Sequence, residues 1–236
     1  MSLRSAGFST AVISLESLED ISPKISPAPP PGSNVIYRGW MLSPSDYQLM
    51  VNAIERVGAS AFTSQSEYLA THYLPNWYPL ITDLTPATKF YSVDDDLESA
   101  LRGLGWEKFF IKDYVKSLKN SIGSIIDSPS KIGTVITEMH KFRGTIEGGI
   151  CVRQVEEFIE GSEKRYFVIN SKPFAAGNEK IPDIVWTCAE RISSKFFSVD
   201  VVERQDGMNR VVEIGDGQVS DLVGWSAERF AQLWVD

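Results

Sequence analysis

Residues 197–217 read FSVDVVERQDGMNRVVEIGDG. Two β-branched runs, 196–202 and 210–214, flank the polar connection Asp206-Gly207-Met208-Asn209. An Asp-Gly pair between such runs predicts a β-hairpin. The strands carry charge where charge is costly. Asp200 interrupts Phe and Val, Glu213 stands between Val212 and Ile214, and Asp216 follows the second strand. A carboxylate in an apolar run must be paired or bound to a cation. Paired about the turn, Asp200 and Glu213 lie nearly opposite each other, and like charges across a ladder repel. A hard divalent cation between them answers both difficulties. Oxygen-only ligands select Mg²⁺ or Mn²⁺, completed by water and phosphate. The spacing alone also allows an edge hairpin with both acids in solvent, since alternating strands expose every second residue.

The chain has 236 residues, enough for one large domain or two intimately packed ones. Its 43% hydrophobic and 23% charged content fit a soluble globular protein. With 23 basic and 31 acidic residues the formal charge is −8, which argues against a nucleic-acid partner, whose phosphates would need a basic surface. Cys151 and Cys188 are the only cysteines and lie far apart, so neither a disulfide framework nor a zinc-finger spacing is visible. A reducing, cytoplasmic setting follows. No run approaches roughly 18 consecutive apolar residues and no signal peptide is evident, so no membrane partner is expected.

Residues 1–33 end in ISPKISPAPPPGS, a Pro-rich run that predicts an extended arm or linker. A short strand over 34–40 precedes a helix that Ser43 caps and Pro44 starts, with Tyr47, Met50, Val51 and Ile54 at helical spacing. Gly58 ends it, and 59–63 suits a second strand, so this β-α-β order predicts a parallel pair. The aromatic-rich stretch 64–84 reads as a packed helical layer holding His72. Residues 85–91 look like a turn into a strand, and 93–104 like a helix with acids in its first turn. In the run FFIKDY, Lys112 follows a buried-looking strand, where a long cationic side chain reaches phosphate or simply snorkels. The polar stretch 117–133 suits a flap. Neither a GxxxxGK[ST] nor a GxGxxG pattern occurs there. A helix over 135–143, a Gly148-Gly149 break and a strand over 150–155 lead to VEEFIEGSE, then to an apolar strand over 164–169. An adenosine needs an acceptor for its amine, a backbone donor for a ring nitrogen and an acceptor for ribose, and a strand-to-loop crossing followed by an acid supplies all three. An acidic loop of this kind is also ordinary solvated surface. A Pro/Gly connection over 170–183, a helix over 184–194 and an amphipathic C-terminal helix over 226–235 complete the chain.

Taken together, these segments resemble the ATP-grasp superfamily over roughly residues 34–236. The elements are the strand-end lysine in FFIKDY, the adenine hinge and ribose acid in VEEFIEGSE, and the acids of VDV through VVEIGDG. The resemblance implies an α/β (α+β) fold: a small α/β domain over 34–105, then two α+β subdomains over 106–236 that grip ATP. It implies that Lys112, with Lys116, contacts nucleotide phosphates. Glu156 and the Glu157 carbonyl hold the adenine amine, the Ile159 N–H meets a ring nitrogen, and Glu163 binds ribose. Asp200, Glu213 and Asp216 coordinate Mg²⁺. The usual third ligand is an Asn two residues after the Glu, where this chain has Gly215, and Asp216 is the substitute. VKSLKNSIGS replaces the usual glycine-rich phosphate loop.

The chemistry so implied is ATP- and Mg²⁺-dependent joining of a carboxylate to an amine through an acyl phosphate. The partners are small-molecule or peptide carboxylates and amines. Arg38, Arg153 and Arg165 are candidates for phosphate or substrate carboxylate, because the arginine fork suits both, although each is equally a surface ion pair. His72 and His140 are weak candidates for a base. Two other readings share these residues: a nucleotide-binding interaction module without ligase turnover, and a kinase on the same fold.

Overall fold

The computed structural model describes residues 3–14, 23–117 and 123–235. Parts of the expected arm (15–22) and of VKSLKNSIGS (118–122) lie outside the described residues. The strands are β1 (Val12–Ile13), β2 (Ile25–Ser26), β3 (Asn34–Val35), β4 (Ser60–Ala61), β5 (Thr88–Tyr91), β6 (Phe109–Asp113), β7 (Ile125–Ile126), β8 (Ile150–Gln154), β9 (Lys164–Ile169), β10 (Lys172–Phe174), β11 (Phe196–Glu203) and β12 (Asn209–Asp216). The helices are α1 (Pro44–Arg56), α2 (Gln65–His72), α3 (Leu74–Trp77), α4 (Leu97–Arg102), α5 (Ile132–Arg143), α6 (Asp183–Arg191) and α7 (Ala227–Gln232). They gather into two compact units that interleave along the chain. One comprises Met1–His72, Lys164–Val201 and Glu213–Asp236, the other Tyr73–Glu163 and Val202–Val212.

In the first unit, β1 and β2 form an antiparallel pair, while β3 and β4 form a parallel one, as β-α-β order predicts. The Ser43 side chain accepts the Asp46 N–H at 3.2 Å, which caps α1 at its first turn. Tyr47, Met50, Val51 and Ile54 fall on the buried face of α1, and Tyr47 stacks on Tyr68 of α2 at 4.1 Å. The larger sheet runs β10-β9-β11-β12, with β9 antiparallel to both of its neighbours. Flanked on both sides, β11 is buried at every residue from Phe196 to Val202. Phe167, Phe196, Trp225, Phe230 and Leu233 pack into one aromatic-rich cluster that anchors α7. Each such side chain contributes about 1.5–3 kcal/mol by leaving water.

The second unit holds an antiparallel sheet ordered β5-β8-β6-β7. Leu97 and Leu101 of α4 and Ile132, Val135 and Met139 of α5 cover it, packing on Phe109, Ile111, Ile150 and Val152. At Gly149 a Cβ would come within 2.7 Å of the Tyr91 carbonyl oxygen, so only glycine lets the chain pass there into β8.

Several local expectations shift. Lys112 lies within β6 rather than after it. The helix expected from 93 starts at Leu97, because the Asp96 side chain accepts the Ser99 N–H and fixes the cap there. The connection over 170–183 contains β10, which folds back on β9 through Asn170 and Ser171, both at positive φ. Among the described residues no helix is long and apolar enough to cross a membrane.

Candidate functional site

The first unit contains all three candidate metal ligands. Asp200 sits in the middle of β11 with only 2% of its surface exposed, which excludes the solvent-facing alternative for this residue. Burial of a carboxylate requires a partner. Arg165 of β9, directly across the ladder from Asp200, supplies it. Its Nε donates to Oδ1 at 2.7 Å and its Nη2 to Oδ2 at 2.5 Å, a bidentate fork. The remaining Nη1 donates to the Asp221 carbonyl at 2.9 Å. Glu213 is half-buried on β12, the strand next to β11.

Asp216 closes β12 and is fully buried. Its Oδ1 accepts the Gln218 N–H at 3.0 Å, while Oδ2 has no hydrogen-bond partner among the described residues. Gln218 is buried too: its Nε2 donates to the Tyr47 hydroxyl at 2.6 Å, and its Oε1 accepts the Tyr37 N–H at 3.0 Å. Arg38 adds a second clasp on the same turn, donating to the Gly217 carbonyl at 2.5 Å and the Ser220 carbonyl at 2.9 Å. Its guanidinium lies 4.8 Å from the Phe230 ring centroid.

Burial pushes the Asp216 carboxyl up to about 7, against the opposing pull of the Gln218 bonds and the Arg38 charge. The native state therefore keeps this proton to higher pH than the unfolded chain, whose carboxyl titrates near 3.8. Its contribution to stability is complete below 3.8 and is lost as pH rises to about 7. Asp216→Asn should flatten that part of the melting temperature against pH curve. Parallel slopes in the two proteins would show that the group titrates normally.

The second unit contains the candidate nucleotide residues. Lys112 is 5% exposed inside β6, opposite Cys151 of β8, whose thiol burial pushes up to about 12. Beside it, the Asp113 Oδ1 accepts the Val115 N–H at 2.8 Å and the Lys116 N–H at 2.5 Å, fixing the turn that leaves β6. The Lys116 side chain is exposed. Residues 155–163 join two different sheets, since β8 pairs with β5 and β6 whereas β9 pairs with β10 and β11. Arg210 grips Glu156, with Nε to Oε2 at 2.9 Å and Nη2 to Oε1 at 2.8 Å, and Arg204 approaches at 3.3 Å. Arg210 also donates to the Asp83 carbonyl at 2.9 Å and the Thr85 carbonyl at 2.7 Å. The Ile159 N–H donates to the Glu203 carbonyl at 2.8 Å, and the Glu157 carbonyl accepts the Gln205 N–H at 3.0 Å. Both hinge groups thus have protein partners. Glu163 is exposed. Buried Arg153 acts as a brace, donating to the Val212 carbonyl and to Thr85 Oγ1, both at 2.5 Å.

Neither Arg210 nor Gln218 stands out in the sequence. Both are polar residues near the ends of an apolar hairpin, and only the fold brings their partners to them.

Oxygen-only donors suit Mg²⁺, and two carboxylates with water and phosphate are an ordinary complement for it. Asp200 and Glu213 stand on neighbouring strands and could supply two such carboxylates, although Arg165 engages both oxygens of Asp200. The Asp216 Oδ2 is a buried carboxylate oxygen without a hydrogen bond among the described residues. Among the described residues, no three His, Cys, Asp or Glu side chains already converge on one point.

Residues 103–234 match the model of an ATP-grasp domain family, the third family of its clade. No curated protein matches the sequence. Among solved structures, the chain is similar to D-alanyl-alanine synthetase A from Vibrio cholerae O1 biovar eltor, at 14% identity and a TM-score of 0.61, over 95% of this chain and 81% of that one. The ATP-grasp ligase PsnB complexed with precursor peptide PsnA2 and AMPPNP aligns at 12% identity and 0.59, over 99% and 90%. The D-alanine–D-alanine ligase from Coxiella burnetii aligns at 12% and 0.56, over 75% of this chain and 58% of that one. The chain thus spans little more than half the length of the Coxiella enzyme. At these identities the likeness is one of fold.

Proposed function

Because this chain belongs to that clade family of ATP-grasp domains and has the fold of ATP-grasp ligases, we propose that it is an ATP- and Mg²⁺-dependent ligase joining a carboxylate to an amine. One observation carries the reading: the matched stretch, 103–234, contains every residue expected to hold nucleotide and metal, from Lys112 to Asp216. When bound, ATP supplies the γ-phosphoryl group that turns the acid into an acyl phosphate, which the amine opens with release of phosphate, and Mg²⁺ neutralises the charge on the oxygens.

Lys112 and Lys116 are the cations for the phosphates. Lys112 suits that role, because a phosphate offsets part of the desolvation cost that a buried ammonium carries. Glu163 would serve the ribose and the 156–163 connection the adenine, which would require the Glu157 carbonyl and Ile159 N–H to exchange their present partners. Asp200 and Glu213 would hold the cation, with the Asp216 Oδ2 as third donor. Arg165 would be the arginine that meets developing negative charge, while Arg38 and Arg153 position the backbone. Acids and amines of small-molecule or peptide size are the substrates.

The doubly bonded Arg165–Asp200 pair favours one second reading, a nucleotide-binding module without turnover, because it closes the principal metal ligand. Incubation with ATP, Mg²⁺ and a panel of amino acids and peptides separates the two. ADP release that requires both an acid and an amine, with hydroxylamine trapping a hydroxamate, supports the ligase. Nucleotide binding without ADP release under any pairing supports the module, and a stable phosphoester indicates a kinase. Lys112→Ala should weaken ATP binding about 10–100-fold, the value of one hydrogen bond to a charged group. Equal nucleotide affinity by calorimetry would remove Lys112 from the site.

A further inference from the structure

A cleft of about 410 Å³ opens within the first unit, walled by the β1–β2 pair, the segment that follows β3, and α1. Its volume falls in the range of small-molecule sites. Ligands of open α/β sheets bind beyond the carboxyl ends of the strands, and residues 36–40 leave the carboxyl end of β3. The lining is aliphatic and aromatic, with partly buried Ile13 and Ile36, buried Met50 and exposed Val12 and Trp40. Val12 and Trp40 are 68% and 77% exposed, an unusual position for two large apolar side chains that face one cleft. Among the described residues, Arg38 is the only charged residue of the lining. Its two terminal nitrogens are held by the Gly217 and Ser220 carbonyls, and its Nε–H makes no hydrogen bond among the described residues. A fixed guanidinium in an apolar wall selects one negative charge on an apolar body. A nucleoside triphosphate would demand several cations, and the described lining has one.

We propose that this cleft binds an apolar carboxylate of amino-acid to dipeptide size, with Arg38 supplying the countercharge and Trp40 and Val12 covering the hydrocarbon portion. The inference deepens the ligase reading by giving the class of its acid, and rests on that reading only for the acid's later fate.

Calorimetric titration of the full chain, without nucleotide, tests it. N-acetylphenylalanine should bind saturably, and its uncharged amide about tenfold more weakly, the loss of one charged hydrogen bond. Trp40→Ala and Val12→Glu replace exposed side chains, so both should fold with an unchanged melting temperature, yet each should weaken N-acetylphenylalanine about tenfold through lost stacking area or like-charge repulsion. Absence of saturable binding, equal affinity for acid and amide, or full affinity in both variants would overturn the proposal. Saturable binding with no ADP release on adding ATP, Mg²⁺ and amines supports the cleft while rejecting the ligase. ADP release with such acids that Val12→Glu and Trp40→Ala leave unchanged rejects the cleft while keeping the ligase.

Discussion

Asp200→Asn is expected to reduce ADP-forming turnover about 10²–10³-fold, the scale of removing one charge-stabilising group from an active site. The same change should cost about 3 kcal/mol of folding stability, because Arg165 keeps its charge in a buried strand without the Asp200 carboxylate opposite. In a chain of this length that loss lowers the melting temperature by roughly 6–12 °C. The two effects separate in a double variant. Arg165→Met with Asp200→Leu replaces the ion pair by apolar side chains and should recover most of the stability, without recovering turnover. Glu213→Gln should share the loss of turnover with a smaller loss of stability, since Glu213 is only half-buried. Unchanged turnover in both Asp200→Asn and Glu213→Gln would refute the metal assignment.

Arg210→Met should cost about 3 kcal/mol in the second unit. Arg210 places four hydrogen bonds on Glu156 and on the Asp83 and Thr85 carbonyls, and Glu156 is itself only 15% exposed. Without the guanidinium, a nearly buried carboxylate keeps only the longer contact to Arg204. Glu156→Gln should cost less, because Arg210 still serves both carbonyls and can donate to the amide oxygen. Denaturant unfolding gives both values. If Arg210→Met unfolds at the wild-type midpoint, or if Glu156→Gln is the more damaging change, Arg210 is not the brace.

Much of this architecture is legible in local signals. Ser43-Pro44 marks the start of α1, its apolar spacing marks the buried face, and the β-branched runs around Asp206-Gly207 become β11 and β12. The acids inside that hairpin stand out because charge in an apolar run is rare. Other features depend on distant neighbours. The turn into β10 uses Asn170 and Ser171 at positive φ, where a glycine would have announced it. The 156–163 stretch reads as a hairpin turn, yet its flanking strands belong to different sheets, a distinction that no local pattern carries. Its Glu156 reads as open to a ligand, and the arginines that hold it lie about fifty residues further along the chain. Gln218 gains its role only from Tyr37 and Tyr47, at the other end of the polypeptide.

That last pairing bears on any attempt to transplant the stretch that matches the family. The portion matched by the family begins at residue 103, whereas the hydroxyl and amide that hold Gln218 come from residues 47 and 37. A fragment trimmed to 103–234 would keep the buried Gln218 and discard its anchors, and with them the tyrosine stack and α1. The opening seventy residues are therefore a covalent portion of the same folding unit as the closing ones, and a trimmed version of this chain has to retain both segments to keep that unit whole.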